Sequence, residues 1–224
     1  IEFVTAYGAT YNPSKNSLKL PQLIALKASA DATLADVITK NTNYNNKVNE
    51  RITAFSGLKS LSTRLVNALQ TTDATSEKIA DAKAFNKKMQ GIRAKAVETP
   101  TDPNTPAPNT ISTSQQSYDQ LIQHLAGLTS ILEAETSYTP NETDLQVATL
   151  QTKIADLTAK NTAVATAYAS ISNSRIARNE TLYSSSTGLV ETANEVKKYI
   201  KSVFGASSPQ FAQVKGIQFK IIKN

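Results

Sequence analysis

Tyr138-Thr139-Pro140-Asn141-Glu142-Thr143-Asp144-Leu145 heads a run in which Val147, Leu150, Ile154, Leu157, Asn161, Val164, Tyr168 and Ile171 recur at alternating steps of three and four. Such steps place side chains on one face of an α-helix, and over this length they make a coiled-coil-like seam. The head of the run returns elsewhere. Tyr11-Asn12-Pro13-Ser14-Lys15-Asn16-Ser17-Leu18 lies 127 positions earlier, and the same offset relates Ala28 to Ala155, Val37 to Val164 and Arg51 to Arg178. After a short gap, Thr63-Arg64-Leu65-Val66 aligns with Thr187-Gly188-Leu189-Val190, and Gln90-Gly91-Ile92-Arg93-Ala94-Lys95 with Lys215-Gly216-Ile217-Gln218-Phe219-Lys220. Several matches in one order, at near-constant offset, predict two tandem copies of one helical unit.

Between the copies, Thr99-Pro100-Thr101-Asp102-Pro103-Asn104-Thr105-Pro106-Ala107-Pro108-Asn109 carries four prolines. Proline removes a backbone donor and fixes φ, so this stretch reads as an extended linker. The expected organisation is copy one over 1–97, a Pro-rich linker over 98–113 and copy two over 114–224. Ahead of Tyr138, the spacing of Tyr118, Leu121, Leu125, Leu128 and Leu132 predicts an amphipathic leading helix. At the same offset Ile1 falls on Leu128 and Val4 on Ile131. The chain is therefore expected to begin in the last turns of the first copy's leading helix, as a piece of a longer protein.

In copy one, a long helix is expected from about Leu18 to Phe55, a second carrying Leu58, Leu61, Leu65 and Leu69, and a third beginning near Asp73–Ser76 with Ile79, Ala82, Phe85 and Met89. In copy two the seam continues through Leu182, Leu189, Val196 and Val203. Ser184-Ser185-Ser186-Thr187-Gly188 has poor helix propensity and predicts a break, with Ser186 or Thr187 capping the next helix. Ser208-Pro209 reads as an N-cap followed by proline at the first helical position, and Gly216 as a C′ residue. Ile217, Phe219 and Ile221 alternate with polar residues, as a short strand-like tail or docked extension does. The fold class is all-α: two tandem bundles of about three helices each, with long antiparallel helices, placed end to end in an elongated molecule. Composition agrees, with 7 Gly, 8 Pro, 6 % aromatic residues and no Trp. Such a core is aliphatic and suits close helix packing.

Chemistry is sparse. The chain has no Cys, which excludes disulfides, thiolate metal sites and cysteine nucleophiles. No apolar run approaches the ~20 residues needed to cross a bilayer. The formal net charge is +6, but Lys and Arg are scattered, the densest pairs being Lys87-Lys88 and Lys197-Lys198. Nucleic acid is not expected as a partner. His124, the one histidine, is expected at the surface or flank of the Tyr118–Leu132 helix. Asp73, Glu77 and Asp81 share a helix face, but Lys78, Lys83, Lys87 and Lys88 accompany and follow them, and acid early with base late complements the helix dipole. Arg51 and Arg178 fall on or beside the seam and either snorkel or pair with a facing acid. Asn161 interrupts the seam where copy one has Leu34; it sets register or lies at a solvated edge. Tyr7, Tyr11, Tyr138 and Tyr183 lie near helix ends, as plugs or as contacts for a glycan or peptide. No residue is assigned a catalytic, cofactor-binding or metal-ligating role, and no cofactor is expected.

Leu182-Tyr183, Thr187-Gly188-Leu189-Val190, Val196-Lys197-Lys198-Tyr199-Ile200-Lys201-Ser202-Val203-Phe204-Gly205, Ser208-Pro209 and Val214-Lys215-Gly216-Ile217 resemble uncharacterised all-helical repeat proteins of Bacteroidetes-type bacteria. The resemblance covers most of the second copy, less of the first, and implies no activity or site residue. Copy one lacks the Val-Phe-Gly and Ser-Pro elements, so its third helix is expected to pack differently. The expected function is a non-enzymatic structural or interaction module, a scaffold, spacer or presented surface for a protein partner or for self-association. The alternative is a helical protein active at a lipid surface, with Val196 to Phe204 as the stretch that would lie there. Export or the cell surface is favoured over the cytoplasm, with the compartment left open.

Overall fold

Proline and glycine fix the helix boundaries in a computed structural model that describes residues 1–92 and 115–222. The expected linker, 98–113, lies outside the described residues. The chain is all-α, and no strand occurs among the described residues. The stretch expected as copy one holds α1 (Glu2–Ala6), α2 (Leu20–Phe55), α3 (Leu58–Leu69) and α4 (Ser76–Gln90). The stretch expected as copy two holds α5 (Tyr118–Glu133), α6 (Val147–Tyr183), α7 (Leu189–Phe204) and α8 (Pro209–Lys215).

Local chemistry explains these boundaries. Pro21 sits in the first turn of α2, where its missing N–H has no intrahelical partner to lose. The Thr75, Ser117 and Ser208 hydroxyls accept from the backbone N–H groups of Lys78, Gln120 and Phe211, three residues on in each case, and cap α4, α5 and α8. Gly91 ends α4 at φ +76°, a left-handed conformation that glycine adopts without a Cβ penalty, and the Ile92 N–H then reaches Lys87 O at 3.1 Å.

The two Tyr-x-Pro heads fold alike. The Tyr11 hydroxyl donates to Leu18 O at 2.8 Å, and the Tyr138 hydroxyl to Leu145 O at 2.9 Å. Each ring closes over a single 3₁₀ turn, Asn16–Leu18 or Thr143–Leu145, entered through Lys15 (φ −67°, ψ 117°) or Glu142 (φ −69°, ψ 115°). Each corner turns the chain into a long helix.

Packing divides the chain into two compact units: unit A, Ile1–Asn45 with Thr166–Asn224, and unit B, Asn46–Ala165. Neither unit is a copy, so the units do not coincide with 1–97 and 114–224. Unit B takes α5, the Tyr138 corner and the first part of α6 from copy two, and the end of α2 with α3 and α4 from copy one. Unit A takes the complementary parts: α1, the Tyr11 corner and most of α2, with the end of α6, α7 and α8. The reason is length. α2 and α6 have 36 and 37 residues, whereas α3, α5 and α7 have 12, 16 and 16, so one partner set covers only part of a long helix.

The core of unit B is Phe55, Leu58, Leu65, Leu69, Ala82, Met89, Leu125, Leu128, Leu132, Leu150 and Leu157, sealed by Tyr138 and Leu145. Burying each large aliphatic side chain contributes about 1.5–3 kcal/mol before entropy is set against it. α4 runs antiparallel on α5: Lys78 Nζ donates to Ala134 O at 3.1 Å, and the Gln116 side chain to Lys88 O at 2.6 Å. Gly127 makes this approach possible, since a Cβ there would lie 2.4 Å from the Phe85 ring. In unit A the core is Val4, Tyr11, Leu23, Ile200 and Val214, with Tyr7, Tyr199, Phe204 and Phe211 packed around it. The α2 and α6 segments run antiparallel in each unit, pairing Asp36 with Ser174 and Tyr44 with Tyr168 in unit A, and Glu50 with Lys160 and Arg51 with Asn161 in unit B.

Three local expectations are corrected. The alignment of Leu65 with Leu189 gives way to helix starts that match Leu58 with Leu189, because the turn before α7 is longer than the Ser56-Gly57 turn before α3. The break after Tyr183 occurs, but Gly188 rather than Ser186 or Thr187 is the N-cap of α7, with no side-chain cap. Close approach selects glycine there, since a Cβ would lie 2.5 Å from the Ser184 backbone. Gly216 ends α8 at φ −76°, so no left-handed residue is used. Of the two forms expected for the tail after it, the docked extension is the one observed, with Lys197 Nζ donating to Lys215 O at 3.1 Å and to Ile217 O at 2.7 Å.

Candidate interaction surface

The polar side chains singled out in the sequence make structural contacts. In unit B the Arg51 guanidinium lies 3.9 Å from the centre of the Tyr118 ring, a cation–π contact, and donates to Asn161 Oδ1 at 2.9 Å. Asn161 in turn donates to Asp119 Oδ1 at 2.7 Å. The polar seam residue therefore ties α2, α5 and α6 together. Arg178, the counterpart of Arg51, bonds its neighbour Asn179.

His124 corrects the expectation of a surface position: it is 5 % exposed and packs near the Phe85 ring. Burial first, then the Lys88 charge, lowers its pKa below the usual histidine value, against a hydrogen bond with the Gln115 backbone. Glu77 lies in the first turn of α4, and Lys87 and Lys88 in its last turn. Hydrogen bonds from its own backbone N–H, Ser76 and Thr75 hold the Glu77 carboxyl low. Among the described residues, no group of three or more His, Cys, Asp or Glu is placed to hold a metal ion.

Tyr11 and Tyr138 are buried plugs, and burial pushes both phenols up to about 12. Tyr7 is half-buried, its ring 5.0 Å from Phe204 and its hydroxyl donating to Gln210 O at 3.0 Å. Tyr183 is half-buried at the end of α6.

Sequence reasoning missed Glu135. This buried carboxylate accepts from Ser137 Oγ at 2.6 Å and from Lys78 Nζ at 2.9 Å. Ser137 first, then Lys78, holds it down to about 2. The available signal was Glu-x-Ser directly before the Tyr corner, a spacing at which a carboxylate bonds the turn that follows it. The counterpart of Glu135 in copy one is Gly8.

The feature that chemistry leaves unexplained is apolar. Unit A holds a groove of about 220 Å³ between α1, α2, α7 and the docked tail, lined by Ile1, Val4, Leu23, Leu26, Val196 and Ile200 among others. Its rim carries Lys27 and Lys197. Further along α2, Leu34 is 42 % and Ile38 68 % exposed. Among the described residues, no helix is long and apolar enough to cross a membrane. No protein-family model, curated protein or solved structure matches the chain.

Proposed function

We propose that this protein is a non-enzymatic structural or interaction module, a duplicated helical scaffold that presents a binding surface to a protein partner. The observation that carries the reading is the apolar groove of unit A, with Leu34 and Ile38 also exposed further along α2. Contiguous apolar surface rimmed by polar residues marks interaction sites. The Arg51–Asn161–Asp119 chain and the Glu135–Ser137–Lys78 cluster are already committed to holding helices together. The two Tyr corners, each closing a 3₁₀ turn with the same hydroxyl-to-leucine-carbonyl bond, support the duplication, and kinship with all-helical repeat proteins of Bacteroidetes-type bacteria is part of the same proposal.

The test is site-specific photocrosslinking in the native host, with the crosslinker at Val196 in the groove and, as control, at the exposed Asp156 of α6. Discrete protein adducts at Val196 and none at Asp156 are expected; no adduct at Val196 overturns the reading. The lipid-surface alternative is weakened by α7 itself, whose Ile200 is buried in the core of its own unit. Co-sedimentation with anionic vesicles tests it, and the module is expected to stay in the supernatant at physiological salt.

A further inference from the structure

We infer that His124 is an acid-operated latch between α4 and α5: when its imidazole takes up a proton, α4 detaches while the rest of unit B stays folded. The inference lies outside the interaction-module reading and does not depend on the groove of unit A.

The geometry is a knob in a socket. His124 and Gly127 are three residues apart and so share a face of α5. The Phe85 ring of α4 sits against both. Its centre lies 6.3 Å from that of the imidazole, and a Cβ on Gly127 would lie 2.4 Å from the ring. His124 is 5 % exposed. The Gln115 backbone hydrogen-bonds the imidazole, and Nε2 is buried without a partner. In the neutral ring Nε2 carries only a lone pair. In the charged ring it carries an N–H with no acceptor, and burial penalises that far more.

No carboxylate compensates. On α4, Lys88 bears on the imidazole with like charge. Its Nζ lies 5.4 Å from the centre of the Phe85 ring, so the π face that could attract an imidazolium already holds a cation. Glu77 is bonded by Ser76 at the far end of α4, and Asp81, Lys83 and Lys87 are exposed. The acids of α5 are engaged: Asp119 by Asn161, Glu133 by Gln151, and Glu135, just beyond its end, by Ser137 and Lys78. On α3, Lys59 donates to Gln90 O and Arg64 pairs with Asp144. Arg51 of α2 covers Tyr118, and Lys160 of α6 pairs with Glu50.

α4 is the helix least anchored. It buries Ala82 and Met89, whereas α3 and α5 bury five residues each. Elements with few buried contacts open first. Burial and Lys88 both lower the histidine from its usual 6.5. The contribution of His124 is therefore full above that value and is lost as pH falls below it. An opening that admits one proton grows up to about tenfold per pH unit there. Glu135, which titrates near 2, is silent in this window.

Native-state amide exchange of the intact protein at pH 7, 6 and 5, the span over which a histidine titrates, measures the opening of each helix. The chain has one histidine, so one side chain answers for the response. After correction for intrinsic exchange, opening of α4 is expected to rise roughly tenfold or more from pH 7 to pH 5, with α3 and α7 unchanged. His124→Phe, which keeps a ring in the seat but takes up no proton, is expected to open equally at all three. Should that variant fail to fold, the wild-type imidazole decides, since its NMR titration is expected to fall below 6.5. The inference is overturned by an unchanged α4, by a rise that α3 shares equally, by an acid response that survives in His124→Phe, or by an imidazole that titrates at or above that value.

Discussion

Leu150 in unit B and Leu23 in unit A hold matching positions on the two long helices, and Leu65 and Val196 match on the helices that follow. Leu150 and Leu65 are wholly buried, whereas Leu23 retains 8 % of its surface and Val196 is half-buried. The residues differ little; the cover over them differs greatly. Unit B is roofed by α5 and α4, of 16 and 15 residues, and unit A by α1 and α8, of 5 and 7. One framework of long helices and Tyr corners therefore supports a closed core and an open one.

The sharpest way to break this comparison is to truncate the matched pair. Leu65→Ala is expected to cost about 2–5 kcal/mol, the range for a buried leucine whose site cannot collapse. Val196→Ala is expected to cost about 1 kcal/mol or less, because its site already opens to water. Denaturant unfolding followed separately in each unit by NMR measures both, and equal costs would show that the groove is not open in solution.

The next largest effect separates the glycines before α3 and α7. Gly188→Ala drives a methyl into the Ser184 backbone and is expected to destabilise unit A by about 1–3 kcal/mol. Gly57→Ala meets nothing within 4 Å and is expected to cost about 0.5 kcal/mol, the price of a poorer N-cap. Thermal unfolding of the two variants, with amide exchange locating the loss, checks the difference.

The corners are where the units should behave alike. Tyr11→Phe and Tyr138→Phe each remove a buried donor from a leucine carbonyl, and each is expected to cost about 0.5–1.5 kcal/mol. Because burial raises both phenols to about 12, their contribution is full below the unfolded tyrosine value near 10 and is lost as the pH climbs through 12. Alkaline unfolding should therefore shift to lower stress in neither variant more than in the other.

The smallest effect at neutral pH belongs to Glu135, whose partner Lys78 is exposed and screened by water. Its carboxyl titrates near 2 when folded, so its contribution is present above the unfolded carboxylate value and disappears as pH falls toward 2. Glu135→Gln is expected to flatten the acid sensitivity of unit B and leave that of unit A unchanged, since Gly8 stands at the equivalent place. Amide intensities between pH 5 and pH 2, an interval set by that shift, measure it.

Much of the secondary structure was legible because it is written locally. The steps of three and four locate α3, α5 and α6, and Ser208-Pro209 starts α8. What was not legible depends on residues far apart in sequence. Periodicity says that α2 and α6 have apolar faces but not that each spans two cores, so the composition of the units had no local signal. Arg51 meets Tyr118 across two intervening helices, a contact no spacing announces. His124 is partly a misreading. It lies three after Leu121 and four before Leu128, which is core spacing, and its polarity outweighed its position. The groove escaped detection because openness is a property of the cover, and Val196 and Leu65 look alike in a string of letters.

The exchange of parts between copies has a consequence for breakage. A cut anywhere in 98–113 would leave two polypeptides, each carrying one Tyr corner and one long helix but half of either core. Neither piece would contain a complete set of mutually burying surfaces, so each would act as the other's folding template. Cleavage between the copies would then yield a pair of complementing fragments rather than two free-standing domains, which makes the protein a natural framework for a split reporter.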